Sequence, residues 1–132
     1  MPQDRITLSV PARGEYARTV RMTASALVSR MGMSFDGVDD VRMAAEEAFV
    51  YAVDTLPEDA EVIFSFIVDD DALEIDVTLG GEPDVSDDEV ERRTTYATFI
   101  LQSVCDSYDL VSDANGRRSL RLYKRAENAD AV

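Results

Sequence analysis

The apolar residues follow two different spacings along the chain, and each change of spacing predicts a new element. Residues 6–10 alternate apolar and polar side chains and stop at Pro11, which is typical of a short strand with one buried face. Between residues 15 and 31 the apolar side chains recur every three or four positions, which predicts an amphipathic helix ending at Gly32. The predicted elements are strands at 6–10, 61–68, 73–79, 108–111 and 119–123, and helices at 15–31, at about 34–55 and at 95–106.

The connections between the predicted strands indicate how they pair. D-D-D-A at 69–72 and N-G at 115–116 are turn sequences that join neighbouring strands into hairpins, so the sheet should be mostly antiparallel. Strand 61–68 is apolar on both faces and is predicted to be covered, whereas strand 73–79 alternates and should be half-exposed. Three helices can cover one face of such a sheet. We therefore predict an α+β fold, a two-layer α/β sandwich of order β-α-α-β-β-α-β-β.

The expected domain organisation is one domain over residues 1–125, followed by a flexible tail at 126–132. No apolar run approaches the roughly 20 residues that span a bilayer, and the N-terminal residues lack the pattern of a signal peptide. We expect a cytoplasmic protein without membrane association. The single Cys105 cannot form an internal disulfide, and its apolar surroundings favour a packed thiol over a reactive one.

The chain is strongly acidic, with a net charge of -14 from 13 basic and 27 acidic residues. Nucleic-acid binding needs a basic surface, so we expect none. The chain contains no histidine, so any catalysis would depend on carboxylates, and a histidine-based metal site is excluded. Arg13, Arg18, Arg21 and Arg30 accompany the first helix; they indicate either a basic patch for an acidic protein partner or ordinary solvated side chains.

The second helix carries two adjacent glutamates in different expected environments. Its core face is predicted to hold Val41, Ala44, Ala45, Ala48, Ala52 and Leu56. Glu46 lies off this face with Arg42 one turn earlier, which predicts a solvent-facing ion pair. Glu47 lies at the edge of the core face without a cation on its own helix. It therefore either lines a cleft or is a solvated side chain without a function.

Four strings along the chain carry a family resemblance. They are I-T-L-S-V-P-A, R-M-G-M-S-F-D-G-V-D-D-V-R-M-A-A-E-E-A, L-E-I-D-V-T-L-G-G-E-P-D and F-I-L-Q-S-V-C-D-S-Y-D-L. In this order and spacing, over roughly residues 6–124, the chain resembles the bacterial anti-sigma-factor serine kinases of the partner-switching type. These are members of the GHKL, or histidine kinase-like, ATPase fold. The resemblance implies that fold, and it implies an ATP site beside the second helix.

The resemblance assigns family roles to particular positions. In the family a glutamate of the long helix is the catalytic base, and an asparagine four residues later helps to hold Mg²⁺. By position these are Glu47 and Tyr51 in this chain. The family's adenine-binding aspartate falls at Leu79. Tyrosine is a poor Mg²⁺ ligand and leucine cannot accept a hydrogen bond, so two of the three contacts are altered.

The phosphate-binding part of the site departs from the family as well. Gly81 matches a family glycine, but the glycine-rich turn that should approach the phosphates falls on T-T-Y-A-T at 94–98, with Thr95 and Ala97 in it. The resemblance therefore implies a degenerate ATP site at Tyr51, Leu79, Gly81, Thr95 and Ala97, and no bound cofactor is expected. ATP and Mg²⁺ would be the cofactors if the site were functional.

Three functions remain open. The first is an anti-sigma-type regulator, a homodimer that binds a sigma factor or another switch partner without ATP and uses Arg18 and Arg21 for partner contact; an anti-sigma antagonist releases the sigma factor. The second is a divergent serine kinase that phosphorylates its antagonist with Glu47 as base. The third is a structural dimer without a sigma-factor partner.

Overall fold

A computed structural model describes residues 3–81 and 86–126 of the 132-residue chain. The order of strands and helices is the predicted one, with an additional short 3-10 turn before the first helix. The elements are β1 (Asp4–Pro11), the 3-10 turn (Gly14–Tyr16), α1 (Ala17–Val28), α2 (Phe35–Thr55), β2 (Glu61–Val68), β3 (Ala72–Leu79), α3 (Asp88–Val104), β4 (Ser107–Ser112) and β5 (Arg118–Arg125).

The five strands form one sheet of order β1-β2-β3-β5-β4, and every neighbouring pair is antiparallel. The register aligns Ile6 with Phe66, Phe66 with Ile75, and Ile75 with Leu122 in a row across four strands. Phe66, Ile75 and Leu122 are buried, because this face of the sheet packs against the helices. The predicted two-layer α/β sandwich is confirmed.

No helix of the described residues covers the opposite face of the sheet, and the prediction that β2 is covered on both faces is wrong. Ile63 is 38% exposed and Ile67 is half-buried, whereas Val62 and Phe64 are fully buried. Successive side chains of a strand point to opposite faces, and the helices lie on only one of them. The apolar composition of β2 therefore does not indicate a second covering layer.

The long helix α2 lies close to the sheet because its inner face is made of small residues. Ala45, Ala48 and Ala52 are fully buried, as the helical spacing predicts. Phe49 projects into the core from the same helix, and its ring centroid lies 6.4 Å from that of Phe64 on β2. Ser34 caps the helix, since its Oγ accepts a hydrogen bond from the Gly37 amide at 3.1 Å.

The helix α3 begins at Asp88, seven residues before the predicted start, so residues 88–93, which the sequence predicts as the end of a loop from 80 to 93, are helical. Asp87 is the N-cap, and its Oδ1 accepts hydrogen bonds from the amides of Glu89 (2.9 Å) and Val90 (3.4 Å). Three acidic residues in the first turn favour this start, because they interact well with the positive end of the helix dipole. These acidic residues therefore favour a helix in a segment that the sequence analysis predicts to be a loop.

The other helix boundaries differ less from prediction. The predicted helix at 15–31 is a 3-10 turn followed by α1, which ends at Val28. At the C-terminal end, Ala126 is buried and donates its amide to the Asp71 carbonyl oxygen at 2.7 Å; the rest of the predicted tail lies outside the described residues. Within residues 3–81 and 86–126, no helix has the length and apolar character needed to cross a membrane.

Candidate functional site

The side chain of Glu46 points from α2 toward α1 and forms an ion pair with Arg21. The predicted pair of Glu46 with Arg42 is wrong. Arg42 instead donates to Asp39 within its own helix, at 3.3 Å. Because α1 packs against this side of α2, it brings Arg21 to Glu46, so the interhelical pair replaces the local one.

Glu47, one residue further along α2, points toward α3 and is half-buried. Burial raises its pKa above the ordinary value of 4.5, and the nearby charge of Glu46 raises it further. None of the ion pairs of the described residues involves Glu47. A carboxylate whose pKa is raised by burial is better suited to accept a proton near neutral pH than a solvated one.

Glu47 lines a cleft between α2 and α3, with Val50 beside it on α2. The wall formed by α3 consists of Arg92, Arg93 and Tyr96, and the cleft has a volume of about 310 Å³. Two guanidinium groups and one carboxylate thus border the same space. This arrangement answers one question left open by the sequence, because Glu47 lines a cleft instead of pointing freely into solvent.

Two sets of contacts at the C-terminal end of α2 hold the neighbouring segments in place. Arg93 binds Asp54 through two hydrogen bonds of 3.0 Å, and the side chain of Asp54 is only 13% exposed. Thr55 accepts hydrogen bonds from the amides of Gly80 (2.9 Å, to Oγ1) and Gly81 (3.1 Å, to the carbonyl oxygen). Successive residues of α2 therefore anchor the end of β3 and the first half of α3.

Three of the positions assigned by the resemblance to nucleotide contacts belong to the hydrophobic core. Tyr51 is 5% exposed, Leu79 is 9% exposed and Ala97 is fully buried, and all three pack within the main core cluster. Gly81 and Thr95 are exposed. Thr95 borders a separate hollow on the outer side of α3. Of the predicted cofactor and catalytic positions, only Glu47 lines the cleft between α2 and α3.

The chemistry of the described residues provides little for a metal ion. Within residues 3–81 and 86–126, no group of three or more histidine, cysteine or acidic residues is arranged to hold one. The Tyr51 side chain, which the resemblance assigns to the position of the family's Mg²⁺-binding asparagine, is enclosed by the core. Burial also raises the pKa of the Cys105 thiol to about 12, in agreement with the packed, unreactive cysteine expected from the sequence.

The two arginines predicted to contact a partner differ in their surroundings. Arg18 is exposed on α1, whereas Arg21 is half-buried and paired with Glu46. Nearby, Arg13 lies over the Tyr16 ring, 5.6 Å from its centroid, and pairs with Glu15 at 3.1 Å. Partner contact through Arg18 and Arg21 stays a prediction, and Arg18 has the more accessible guanidinium group.

The residues that complete the cleft were not predicted. The prediction places Arg92 and Arg93 in a loop because it starts α3 too late, and it places Tyr96 in the degenerate turn at 94–98. One signal was present in the sequence: Arg92 and Arg93 are two adjacent cations within an acidic segment. Cations in such a segment have many possible acidic partners, so the sequence does not specify that Arg93 reaches Asp54.

Comparison with known proteins agrees with the fold. Residues 10–125 match the histidine kinase-like ATPase domain family, and since this match covers most of the chain, the chain belongs to that family. The chain is also similar to proteins named serine-protein kinase RsbW. The RsbW of Listeria monocytogenes serovar 1/2a is 28% identical over 127 residues, which cover 83% of this chain and 81% of the relative. The family resemblance predicted from the sequence strings is confirmed.

Two Bacillus relatives are more similar over a shorter region. The serine-protein kinase RsbW of Bacillus pumilus is 38% identical over 83 residues, and that of Bacillus velezensis is 38% identical over 82 residues. These alignments cover 59% and 60% of this chain, and each covers 51% of the relative. The aligned region thus spans about half the length of each of these two relatives.

Proposed function

We propose that the chain is an anti-sigma-type regulatory protein that binds a sigma factor or a switch partner through protein contacts, without using ATP. The proposal combines membership of the histidine kinase-like ATPase family and similarity to serine-protein kinases named RsbW with the altered residues of the nucleotide site. In this proposal the chain acts as one cytoplasmic domain that forms a homodimer, and an anti-sigma antagonist competes with the sigma factor for binding to the chain. Arg18 is the α1 residue proposed to contact the partner.

The burial of Tyr51 is the observation that best supports a function without ATP. An asparagine at this position of the family holds Mg²⁺ from the face of the helix, whereas Tyr51 is 5% exposed and packs in the core. Leu79, at the adenine-binding position, is also a core residue and offers no acceptor to an adenine amino group. A Mg-ATP complex bound in the family manner therefore lacks two of its contacts.

Calorimetric titration with Mg-ATP tests the proposal directly. We expect no heat of binding at ATP concentrations up to the millimolar range, together with co-purification of a sigma factor or antagonist from the native host. The proposal fails if Mg-ATP binds tightly. It also fails if neither class of protein co-purifies, which would favour a structural dimer without a sigma-factor partner.

A second candidate function is a divergent serine kinase, and the environment of Glu47 favours it. The carboxylate lines an open cleft with Arg92 and Arg93, and burial raises its pKa toward the range of a general base. Incubation of the chain with radiolabelled ATP, Mg²⁺ and a co-purified antagonist tests this function. Phosphorylation of an antagonist serine by the unaltered chain but not by Glu47→Gln would establish the kinase over the ATP-independent regulator.

A further inference from the structure

The two halves of α3 are attached to the rest of the molecule in different ways. The second half (residues 97–104) contains all the buried residues of this helix, which are Ala97, Ile100, Leu101 and Val104. In the first half (residues 88–96), Val90 and Thr94 are half-buried and the other residues are exposed. Burial of an apolar face is the main interaction that holds a helix in a protein. The first half therefore has much less of this interaction than the second.

An ion pair joins the first half of α3 to the long helix α2. Arg93 Nε and Nη2 each lie 3.0 Å from one carboxylate oxygen of Asp54, whose side chain is 13% exposed. The hydrogen bonds at the N-cap are local, because the Asp87 side chain accepts them from the amides of Glu89 and Val90. A cap stabilises a helix but does not attach it to its neighbours. The attachment of the first half therefore depends strongly on the ion pair.

The junction between the two halves contains three threonines. Thr94, Thr95 and Thr98 are β-branched, and such residues are less favourable in a helix than alanine or leucine. The Thr98 hydroxyl lies 3.1 Å from the carbonyl oxygen of Thr94 and 3.0 Å from that of Thr95, and bonds of this kind weaken and bend helices. The buried Thr94 Oγ1 has no hydrogen-bond partner, which is unfavourable until water reaches it. The junction therefore favours a break between the halves.

The first half of α3 provides the α3 wall of the cleft that contains Glu47. Arg92, Arg93 and Tyr96 border this cleft opposite Glu47 and Val50, and all three lie within residues 88–96. Detachment of the first half would remove this wall and bring water to the Glu47 carboxylate. The environment of Glu47 therefore depends on whether the first half lies against α2.

We propose that the first half of α3 opens as a unit while the rest of the fold stays intact, and that the pair of Arg93 with Asp54 holds it closed. The closed state borders Glu47 with a cleft, and the open state exposes it. The Arg93 side chain is 45% exposed, so dissolved ions screen the pair and favour the open state. This device goes beyond the proposed function and does not rest on it, because the cleft has the same walls in a regulator and in a kinase.

Hydrogen exchange of the full chain, followed by NMR at low urea concentrations, tests this opening residue by residue. The amides of residues 91–96 should share similar protection factors, at least about tenfold lower than those of residues 101–105. Their exchange should be insensitive to urea, because a local opening exposes little surface, whereas exchange at 101–105 should accelerate. Equal protection along α3 overturns the proposal. A gradual rise in protection from Asp88 onward also overturns it, because that is ordinary fraying of a helix end.

Two kinds of variant separate local opening from global unfolding. Arg93→Ala and Asp54→Asn break the pair from either side, and each should lower the protection of residues 91–96 by about fivefold. Ile100→Val removes a methyl group from the core and should lower the protection of residues 101–105 by a similar factor. It should leave residues 91–96 unchanged, because their opening keeps Ile100 packed. If Ile100→Val lowers protection equally in both segments, α3 opens as a whole and the proposal fails.

The neighbouring arginine provides a control for the role of the ion pair. Arg92→Ala removes the same charge one residue earlier, and none of the ion pairs of the described residues involves Arg92. It should leave the protection of residues 91–96 unchanged. Sodium chloride at about 1 M should lower that protection in the unaltered chain and in Arg92→Ala, but barely in Arg93→Ala. An equal effect of salt on Arg93→Ala, or of the two arginine changes on protection, would show that the pair does not hold the first half closed.

Discussion

Arg93 on α3 holds the carboxylate of Asp54 on α2 through two hydrogen bonds, with Nε and Nη2 each 3.0 Å from one of its oxygens. The hydrogen bonds raise the pKa of the Arg93 guanidinium, and Glu89 adds a weaker contact at 3.8 Å. Arg93 also forms part of the wall of the cleft beside Glu47. This contact between the two helices therefore connects the position of α3 to the geometry of the candidate site.

Replacement of Arg93 by alanine should destabilise the chain by about 1 kcal/mol, a modest value because the arginine is partly exposed. Urea unfolding of Arg93→Ala, Asp54→Asn and the double variant measures the interaction. The loss in free energy of unfolding for the double variant should be smaller than the sum of the losses for the two single variants. High salt should reduce the difference between Arg93→Ala and the unaltered chain, and strict additivity of the two changes would contradict the pairing.

Replacement of Gly80 by alanine should destabilise the chain more than replacement of Arg93 does. A Cβ at this position would lie 1.9 Å from the carbonyl oxygen of Thr55, and a backbone atom of a helix end cannot easily move aside. We expect a loss of roughly 2 kcal/mol or more in the free energy of unfolding. Gly81→Ala is the control, because a Cβ there meets no atom of residues 3–81 and 86–126 within 4 Å. Equal effects of the two changes on urea unfolding would refute this account of Gly80.

Replacement of Glu47 by glutamine should stabilise the chain at neutral pH. Burial raises the pKa of Glu47 above 4.5, so the folded chain binds this proton more tightly than the unfolded chain does. The stability of the unaltered chain therefore falls as the pH rises from about 4.5 through the raised pKa, and it stays lower above that pKa. The advantage of Glu47→Gln should be present at pH 7 and absent well below pH 4.5.

The adjacent Glu46 provides the control for this pH dependence. Glu46→Gln removes the ion pair with Arg21, in which both side chains are about one-third exposed, and should cost about 0.5–1 kcal/mol at pH 7. Urea unfolding of both variants between pH 3 and pH 8 measures the two effects. If both variants are more stable than the unaltered chain at pH 7, or neither is, the two glutamates do not differ in environment as the structure indicates.

Restoring the family asparagine at Tyr51 should not restore a nucleotide site. Tyr51 is 5% exposed in the core, so Tyr51→Asn removes an aromatic ring and buries an amide, at a cost of about 3 kcal/mol. Tyr51→Phe keeps the ring and should change stability by less than about 1 kcal/mol. Thermal unfolding measures both changes. Binding of Mg-ATP to a folded Tyr51→Asn, observed by calorimetry, would show that this one residue blocks the site.

The sequence predicted features that depend on contacts close along the chain. The alanine face of α2 follows from helical spacing, and the predicted start of this helix near residue 34 agrees with the observed cap at Ser34. The turn at Asn115 and Gly116 follows from the backbone, since Gly116 adopts a φ of 78° that glycine accommodates without strain. Such features require no knowledge of which elements pack together.

The start of α3 was missed because two local signals compete in the same segment. Glycine, proline and many acidic residues indicate a loop, while Asp87 and the acids that follow it indicate a capped helix. The contact between Arg93 and Asp54, 39 residues apart, holds this part of α3 against α2. The misplaced start also moved Arg92 and Arg93 out of the predicted site.

The sequence by itself determined the order of strands and helices, the core face of α2 and the family. These depend on the periodicity of apolar residues and on short sequence segments that occur in a fixed order. Tertiary packing decided that Glu46 pairs with Arg21 and that Glu47 faces a cleft bordered by α3. A helical period places two adjacent glutamates 100° apart, which is enough to send one toward α1 and the other toward α3. Which side chains contact the two glutamates was determined only by the packing of α1 and α3 against α2.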